Sequence, residues 1–265
     1  MLETIRIEEI TAIAKKAGDA IMKIYEKEFH IEYKDDTSPL TEADTLSNHI
    51  ICSMLETRFP RIPLLSEENK EIPYEKRKRW EYYWCIDPID GTKEFIKKNG
   101  EFTVNIALIH KNTPVLGVVY APALEEMYYA KQGEGAFKNG QRLPLKTNTA
   151  PEQSLRIVAS KSHLSKETQA FIDDVAKSTK HIEQLSKGSS LKLVMVAEGS
   201  ADIYPRLAPT MEWDTAAADA ILRESGKMIY QFGNMDLLMY NQKNLQNTWF
   251  ICKGFKDILI EKSRQ

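Results

Sequence analysis

The feature that most constrains this chain is an apolar run, YYWCI at residues 82–86, which leads directly into a pair of aspartates. Such a run predicts a buried strand, so Asp87 is expected to end it. After a proline turn, Asp90, Gly91 and Thr92 are expected to open a turn or short helix whose free N–H groups point outward. Carboxylates beside free N–H groups can bind a hard cation and an anion together. The segment therefore predicts a site for a metal and a phosphate.

The bare pattern D-x-x-D-G carries little weight alone, since chance gives it in roughly one chain of this length in twenty. An aspartate before a glycine is also typical of an ordinary turn, and Asp90 by itself would favour an N-capping role. Two acids three residues apart after a predicted strand, with a threonine close behind, favour metal binding over a simple turn.

Three further acids stand at similar positions. Glu67 follows the apolar residues of LLS, and Asp214 stands at the start of the predicted helix in MEWDTAAADAIL. Asp44 lies three residues after Thr41, a spacing that also fits a capping box. Taken singly, Glu67 could be an ordinary loop acid, and Asp214 a first-turn acid that favours the helix dipole. Their occurrence together, on separate segments, favours one shared site.

The predicted ligand set contains only oxygen. Oxygen ligands without histidine or cysteine favour Mg²⁺, Mn²⁺ or Ca²⁺ over zinc. The five histidines lie at no ligand spacing from one another. The chain also lacks the G-x-S-x-G, H-E-x-x-H, G-x-x-x-x-G-K-[ST] and G-x-G-x-x-G motifs of competing catalytic and nucleotide sites. The four carboxylates, drawn from three segments, are Glu67, Asp87, Asp90 and Asp214.

Apolar periodicity gives the order of the elements. Two helices come first and a run of strands follows, whereas strands and helices alternate in the second half. We therefore place a boundary near residue 150, between domains 1–150 and 151–265. The charged stretch 69–79 is expected to be a solvated surface. The predicted helices are 10–24, 41–58, 166–177, 189–198, 213–225 and a short one at the C-terminus; the predicted strands are 62–66, 82–86, 102–110, 115–120, 126–131, 156–160, 201–204, 228–230 and 248–252.

Charge and cysteine content narrow the class of protein. The chain has 36 basic and 38 acidic residues and a net charge of −2, which argues against nucleic acid or an anionic membrane as partner. No apolar run is long enough to span a membrane, and the acidic N-terminus does not resemble a signal peptide. Three cysteines, odd in number and far apart, suit a reducing cytoplasm.

At these residues the chain resembles the lithium-sensitive, magnesium-dependent phosphatase family of inositol monophosphatases and bisphosphate nucleotidases. The segments SPLTEAD, SEE, DPIDGT and WDTAAADA carry the resemblance along nearly the whole chain. It implies an α/β (α+β) fold, a layered α/β/α/β/α sandwich with two sheet-containing domains and the active site between them. It also implies two or three Mg²⁺ ions, or Mn²⁺, bound by Glu67, Asp87, the Ile89 carbonyl, Asp90 and Asp214, and a water-activating pair, Asp44 and Thr92.

Other segments resemble the 3'(2'),5'-bisphosphate nucleotidase branch, namely DGTKEF, NGEFTVNIALI, SKSH and GSSLKLVMVAEGSADIYPR. Lys93 stands where inositol phosphatases usually have Thr or Ser. From the residues alone, Ser189 could be a helix N-cap, Lys192 an exposed helical lysine and Arg206 a surface charge. Two cations nevertheless suit a second phosphate. The substrate contacts that the resemblance implies are Gly91, Thr92, His163, Ser189, Lys192 and Arg206.

The implied reaction is hydrolysis of the 3'-phosphate of adenosine 3',5'-bisphosphate to AMP and phosphate by direct attack of water, as in sulfur assimilation or nucleotide recycling. Three alternatives stay open. An inositol or sugar-phosphate phosphatase is disfavoured by Lys93 and the SSLK…YPR segment. A non-catalytic nucleotide- or metal-sensing module is disfavoured because Asp44 and Thr92 are both present. A glycosidase that uses two carboxylates would release sugar and not phosphate.

Overall fold

A computed structural model describes residues 1–29, 31–33, 39–69, 71–146, 154–160 and 164–253. Within these ranges the chain forms seven α-helices and fourteen strands, numbered here in chain order. The helices are α1 (Ile7–Tyr25), α2 (Glu42–Arg58), α3 (Tyr74–Arg77), α4 (Thr92–Ile96), α5 (Lys166–Ala176), α6 (Leu191–Glu198) and α7 (Glu212–Glu224). The strands are β1 (Ile31–Tyr33), β2 (Pro39–Thr41), β3 (Leu64–Ser66), β4 (Tyr82–Asp90), β5 (Thr103–His110), β6 (Thr113–Ala121), β7 (Glu126–Lys131), β8 (Gly135–Lys138), β9 (Gln141–Arg142), β10 (Leu155–Ala159), β11 (Ile182–Ser186), β12 (Ile203–Arg206), β13 (Met228–Gln231) and β14 (Phe250–Lys253).

The strands form two main sheets. The large sheet has seven strands in the order β3-β4-β5-β6-β7-β8-β9, and only β3 and β4 pair in parallel. The small sheet has five strands in the order β11-β10-β12-β14-β13. In it β10 runs parallel to β11 and β12, whereas β14 is antiparallel to both of its neighbours. Strands β1 and β2 form a separate hairpin.

The large sheet is covered on both faces. On β4, Trp84 and Ile86 pack in one apolar cluster with α1 and α2. Tyr83 and Cys85 point the other way and pack in a second cluster with α6 and α7. Because side chains alternate along a strand, a strand buried on both faces reads as a continuous apolar run. This explains why the YYWCI segment shows no polar alternation.

The small sheet completes the layers. Phe250 and Cys252 of β14 belong to the cluster around α6 and α7, whereas Ile251 packs in a third cluster with Ile172 and Val175 of α5. The order of layers is therefore α1 with α2, the large sheet, α6 with α7, the small sheet, and α5. This arrangement confirms the predicted layered α/β/α/β/α sandwich.

Helix α7 lies unusually close to the large sheet. A Cβ atom added at Gly117 of β6 would lie 2.1 Å from the carbonyl oxygen of Ala217 and 2.9 Å from the Cβ of Ala220. Only glycine leaves room for the helix backbone at this distance. The close contact matters for the site described below, because α7 carries Asp214 in its first turn.

Most described residues of the charged stretch 69–79 are exposed, as predicted, with one exception at Arg77. The charged stretch 69–79 contains α3, and its Arg77 is buried, with 2% of its surface exposed. The Arg77 guanidinium donates hydrogen bonds to Asn241 Oδ1 at 3.0 Å and to the carbonyl of Gln242 at 2.7 Å. It also donates to the carbonyl of Lys243 at 3.0 Å. A guanidinium can be buried when acceptors occupy its donors in this way.

The remaining helix predictions agree with the structure to within a few residues, apart from the C-terminal helix, which falls in 254–265, outside the described residues. Strand β11 was not predicted, because this edge strand leaves most of its side chains partly or fully exposed. The division near residue 150 stays a prediction. Within the described ranges, no helix combines the length and apolarity that a bilayer crossing requires.

Candidate active site

Strand β4 does not end at Asp87 as predicted. It continues through Asp90, and its register with β5 shifts between these two residues. Pro88 has no N–H to donate to the ladder, and an irregularity of this kind lets a strand pass over a proline. The ladder resumes at Asp90, which pairs with Thr103. As a result, both aspartates belong to one strand end and their side chains converge.

The turn that follows β4 requires glycine. Gly91 has a φ of +93°, and an added Cβ would lie 3.1 Å from the Glu101 carbonyl oxygen and 3.2 Å from the Ser189 Cβ. Both the left-handed backbone and the lack of space for a Cβ atom favour glycine at this position. Thr92 then begins the short helix α4, so the predicted turn into a helix is confirmed.

The structure brings the predicted acids together. Asp87, Asp90 and Asp214 each place a carboxylate oxygen within 4.8 Å of the others. Glu67 lines a cavity that Asp90 and Asp214 also line, and the Glu67 N–H donates to the Ile86 carbonyl at 3.2 Å, which attaches Glu67 to β4. Within the described part of the chain, Asp87 Oδ1 is buried without a hydrogen-bond partner. Buried carboxylates with an unsatisfied oxygen are the donor set that a hard divalent cation requires.

The electrostatics of this cluster favour a cation. Burial raises the pKa of Asp87 well above its usual value, and the neighbouring carboxylates raise it further. Burial and the charge of Asp90 raise the pKa of Asp214 to about 8. Burial also raises the pKa of Asp90 to about 6, although the Lys192 ammonium and the Ser190 N–H act in the opposite direction. Positive charge placed among these groups would return them to their ionised forms.

Asp44 and Thr92 are in contact beside the cluster. Thr92 Oγ1 lies 3.1 Å from Asp44 Oδ1 and 3.3 Å from the Ile89 carbonyl oxygen, and it can donate to either. The other oxygen, Asp44 Oδ2, accepts hydrogen bonds from the N–H and the hydroxyl of Thr41, at 2.8 and 2.6 Å. Asp44 therefore completes the capping box of α2 and contacts Thr92 at the same time.

Asp214 combines two roles in the same way. Its Oδ2 accepts a hydrogen bond of 2.8 Å from the Met211 N–H at the start of α7. The same carboxylate also belongs to the acid cluster. The capping explanation that the sequence left open is correct for this residue, but it does not exclude a ligand role.

A cavity of about 390 Å³ opens beside the acids. Lys192 lines it but is buried, not exposed as the sequence allowed, and its Nζ donates to the Ser189 and Lys187 carbonyls at 2.6 and 3.4 Å. Burial lowers the pKa of Lys192 to about 8.

Arg206 donates to the Pro209 carbonyl at 2.9 Å, and its buried Nε has no hydrogen-bond partner among the described residues. Of the predicted substrate contacts, Gly91, Thr92, Ser189, Lys192 and Arg206 line this cavity.

Two details of that set differ from the sequence interpretation. Ser189 is not the N-cap of α6, because the cap is Ser190 and Ser189 has a φ of +44°. A non-glycine residue in this region is held there by its surroundings. His163 lies outside the described residues.

Sequence reasoning missed the residues that fix the 187–190 turn. The Ser190 N–H donates to Asp90 Oδ2, and its hydroxyl lies 3.0 Å from Asn105 Oδ1. Glu101 accepts hydrogen bonds from the Gly188 N–H at 2.7 Å and from Lys187 Nζ at 3.2 Å. The polar run KGSS before an apolar helix was the available signal for such a turn. Its partners on the large sheet could not be read from it.

The sequence profile of the inositol monophosphatase family matches residues 1–261. The 3'(2'),5'-bisphosphate nucleotidase CysQ of Salmonella typhimurium is 42% identical over 246 residues, which cover 92% of this chain and 98% of that protein. The protein of the same name from Aggregatibacter actinomycetemcomitans is 37% identical over 265 residues, 99% of this chain and 97% of its own. The crystal structure of CysQ from Bacteroides thetaiotaomicron, a bacterial member of the inositol monophosphatase family, has a TM-score of 0.85 and 42% identity and covers 94% of this chain and 97% of that one.

The acid cluster predicts a pH-dependent stabilisation by divalent metal. The pKa of Asp214 is raised from 3.8 to about 8 in the folded chain, so folding retains a proton that the unfolded chain releases above about pH 4. The stability of the metal-free protein should therefore fall as the pH rises from about 4 to about 8. Since metal binds the ionised carboxylates, the rise in Tm on adding MgCl₂ should be larger at about pH 8 than at about pH 6.

Thermal unfolding of chelator-treated protein, with NaCl at matched ionic strength as the control, measures this difference. Asp214→Asn keeps a capping oxygen but removes the charge, so it should lose most of the rise in Tm. A rise that is equal at both pH values, and unchanged in Asp214→Asn, would contradict a metal site at these acids.

Proposed function

The chain belongs to the inositol monophosphatase family, as its motifs predicted, and we propose that it is a 3'(2'),5'-bisphosphate nucleotidase that hydrolyses the 3'-phosphate of adenosine 3',5'-bisphosphate. The products are AMP and inorganic phosphate. The observation that carries this proposal is the cavity beside the acid cluster, which is lined by three of the acids, Thr92 and two cationic side chains; the acids are Glu67, Asp90 and Asp214, and the cations are Lys192 and Arg206. The relatives that are about 40% identical over most of the chain are named as 3'(2'),5'-bisphosphate nucleotidases, which supports the nucleotide branch.

The residues fit a divalent metal. Members of this family depend on metal, and here the donors are all oxygen and one of them is buried without a partner. We propose Mg²⁺, with two or three ions per active site and Mn²⁺ as a substitute. Bound metal supplies positive charge to the phosphoryl and leaving oxygens and lowers the pKa of water. The ligands would be Glu67, Asp87, Asp90, Asp214 and the main-chain carbonyl of Ile89.

Thr92 and Asp44 would orient the attacking water. When Thr92 Oγ1 donates to Asp44 Oδ1, its lone pairs remain to accept a hydrogen bond from a water in the cavity. Asp44 cannot swing away, because the N–H and hydroxyl of Thr41 hold its second oxygen. Thr92 thereby presents a fixed acceptor, and Asp44 is the base toward which the proton moves.

Two cations would bind the phosphate that is not cleaved. Arg206 lines the cavity, and a guanidinium can give a phosphate a planar pair of donors. Lys192 uses hydrogen bonds to two carbonyls of the 187–190 turn, which leaves one N–H of its ammonium for the substrate. We therefore expect Arg206 to contribute binding alone, and Lys192 to contribute binding and turn stability together. Gly91, Ser189 and His163 complete the proposed substrate contacts.

The proposed substrate is a small nucleotide bisphosphate. We also propose a reducing compartment such as the cytoplasm. All three cysteines are buried, and none forms a disulfide in the described structure, where each of them is included. Thiols kept in this state are typical of a reducing environment.

The substrate and the metal can be tested in one experiment. Phosphate release should be fastest with adenosine 3',5'-bisphosphate, because its 3'-phosphate would lie at the acid cluster while its 5'-phosphate engages the two cations. Inositol 1-phosphate and fructose 1,6-bisphosphate should be hydrolysed more slowly. Excess chelator should abolish release and MgCl₂ should restore it. Full turnover in chelator would contradict the metal mechanism, and a preference for inositol 1-phosphate would contradict the nucleotide assignment.

The Thr92 and Asp44 pair predicts non-additive mutant kinetics. Thr92→Ala and Asp44→Asn should each lower kcat by about a hundredfold or more, as expected for loss of a general base or its partner. The double variant should lose little beyond the worse single variant, because the two groups act as one unit. Single-turnover rates at saturating MgCl₂ measure the effect. If the fold losses in kcat of the two single variants multiply in the double variant, the two groups act independently and Asp44 has only its capping role.

Arg206 should discriminate between substrates with one and two phosphates. A charge-assisted hydrogen bond contributes about 1.5–3 kcal/mol. Arg206→Ala should therefore lower kcat/KM for adenosine 3',5'-bisphosphate by about ten- to a hundredfold, with a much smaller loss for 3'-AMP. Lys192→Ala is the comparison, and it should impair both substrates because it also loosens the turn that donates to Asp90. Equal losses for both substrates in Arg206→Ala would show that Arg206 does not bind the second phosphate.

A further inference from the structure

One face of α2 contacts three separate segments of the active site. Asp44, Ser47 and Asn48 have the spacing i, i+3 and i+4, which places them side by side on a helix. Asp44 contacts Thr92, as described above. The other two reach segments that carry proposed metal ligands, although neither of them lines the cavity. These contacts suggest a function for α2 beyond its packing on the large sheet.

Ser47 holds the irregular part of β4. Its side chain is fully buried, and its hydroxyl donates a hydrogen bond of 2.8 Å to the carbonyl of Pro88. This carbonyl belongs to the peptide group between Pro88 and Ile89, where the register with β5 shifts. The bond fixes the plane of that peptide, and with it the start of Ile89, whose own carbonyl is a proposed ligand.

Asn48 holds the turn that carries Glu67. Its amide oxygen accepts a hydrogen bond of 2.7 Å from the Ser66 hydroxyl, and its amide nitrogen donates to Asn69 Oδ1 at 2.9 Å. Ser66 and Asn69 stand on either side of Glu67 in the chain. One side chain of α2 thus holds both ends of the turn.

Glu67 requires such support because of where it lies. Strand β3 has only three residues and is at the edge of the large sheet, paired with β4 alone. Glu67 follows directly and faces other carboxylates, whose repulsion would move the turn away from β4 in the absence of metal. A short edge strand resists such movement weakly. Contacts from α2 therefore give this turn an attachment in addition to its pairing with β4.

We propose that Ser47 and Asn48 are positioning residues that fix Glu67 relative to the ligands on β4 and thereby set the affinity of the site for divalent metal. This proposal rests on the metal ligands proposed above. Groups that orient metal ligands from outside the coordination shell commonly change metal affinity by 10–100-fold when they are removed.

Titration calorimetry of the full chain with MnCl₂ and with MgCl₂ tests the proposal. Asn48→Ala should weaken binding of both ions by about tenfold, and Ser47→Ala by a similar factor. The metal concentration needed for half-maximal activity should rise in both variants. At saturating metal, the kcat of each variant should approach that of the unaltered protein. Ile51→Val, a buried apolar substitution on the same helix, is the matched control. It should lower Tm without changing metal affinity.

A double-mutant cycle identifies the contact responsible. Ser66→Ala removes the hydroxyl that donates a hydrogen bond to Asn48. The double variant Asn48→Ala/Ser66→Ala should therefore bind MnCl₂ about as weakly as whichever single variant has the lower affinity. If Asn48→Ala and Ser47→Ala lower Tm but bind both ions as tightly as Ile51→Val does, the two residues are structural only and the proposal is wrong. If the unaltered protein binds neither ion, the proposed metal site itself is wrong, and this inference falls with it.

Discussion

The architecture of the site must offset the mutual repulsion of carboxylates that lie close together, one of them buried and two partly buried. Asp87, Asp90 and Asp214 each place a carboxylate oxygen within 4.8 Å of the others, and burial raises the pKa of each. Left to itself, such a cluster would separate or take up protons. Its members therefore need rigid attachments from outside. Strand β4, the close contact of α7 at Gly117 and the polar face of α2 supply these attachments.

The capping residues show how structural and chemical roles coincide in this fold. Asp44 and Asp214 each accept hydrogen bonds at the start of their own helix with one oxygen, and both remain part of the site. The cap removes rotational freedom from the side chain, so the other oxygen is held in place without further contacts. A helix start is thus a favourable position for a carboxylate that must be held rigidly against neighbouring charges.

The sequence was sufficient to predict the elements and the acids, but not the contacts that orient them. Periodicity located most helices and strands, and acids at the ends of apolar runs indicated the cluster. The path of β4 beyond Asp87 could not be predicted, because the irregularity at Pro88 depends on pairing with β5 and on Ser47. The burial of Lys192 depends on the carbonyls of a turn that itself depends on Glu101. Such contacts are formed by residues far apart in the chain, and local pattern carries no information about them.

Arg77 shows how contacts of this kind join the two sides of the site. In the chain it lies between β3, which Glu67 directly follows, and β4, which carries Asp87, and it donates to the carbonyls of residues 242 and 243. The N–H groups of residues 241 and 242 donate in turn to the Glu212 carboxylate, each at 2.8 Å, and Glu212 precedes Asp214 by two residues in α7. Both sides of the acid cluster thus hold the same loop. This loop is bound mainly through its backbone, and the Asn241 side chain adds hydrogen bonds with Arg77. The network contains no candidate metal ligand, and it is a further restraint on the separation between β4 and α7, which repulsion among the acids would otherwise increase.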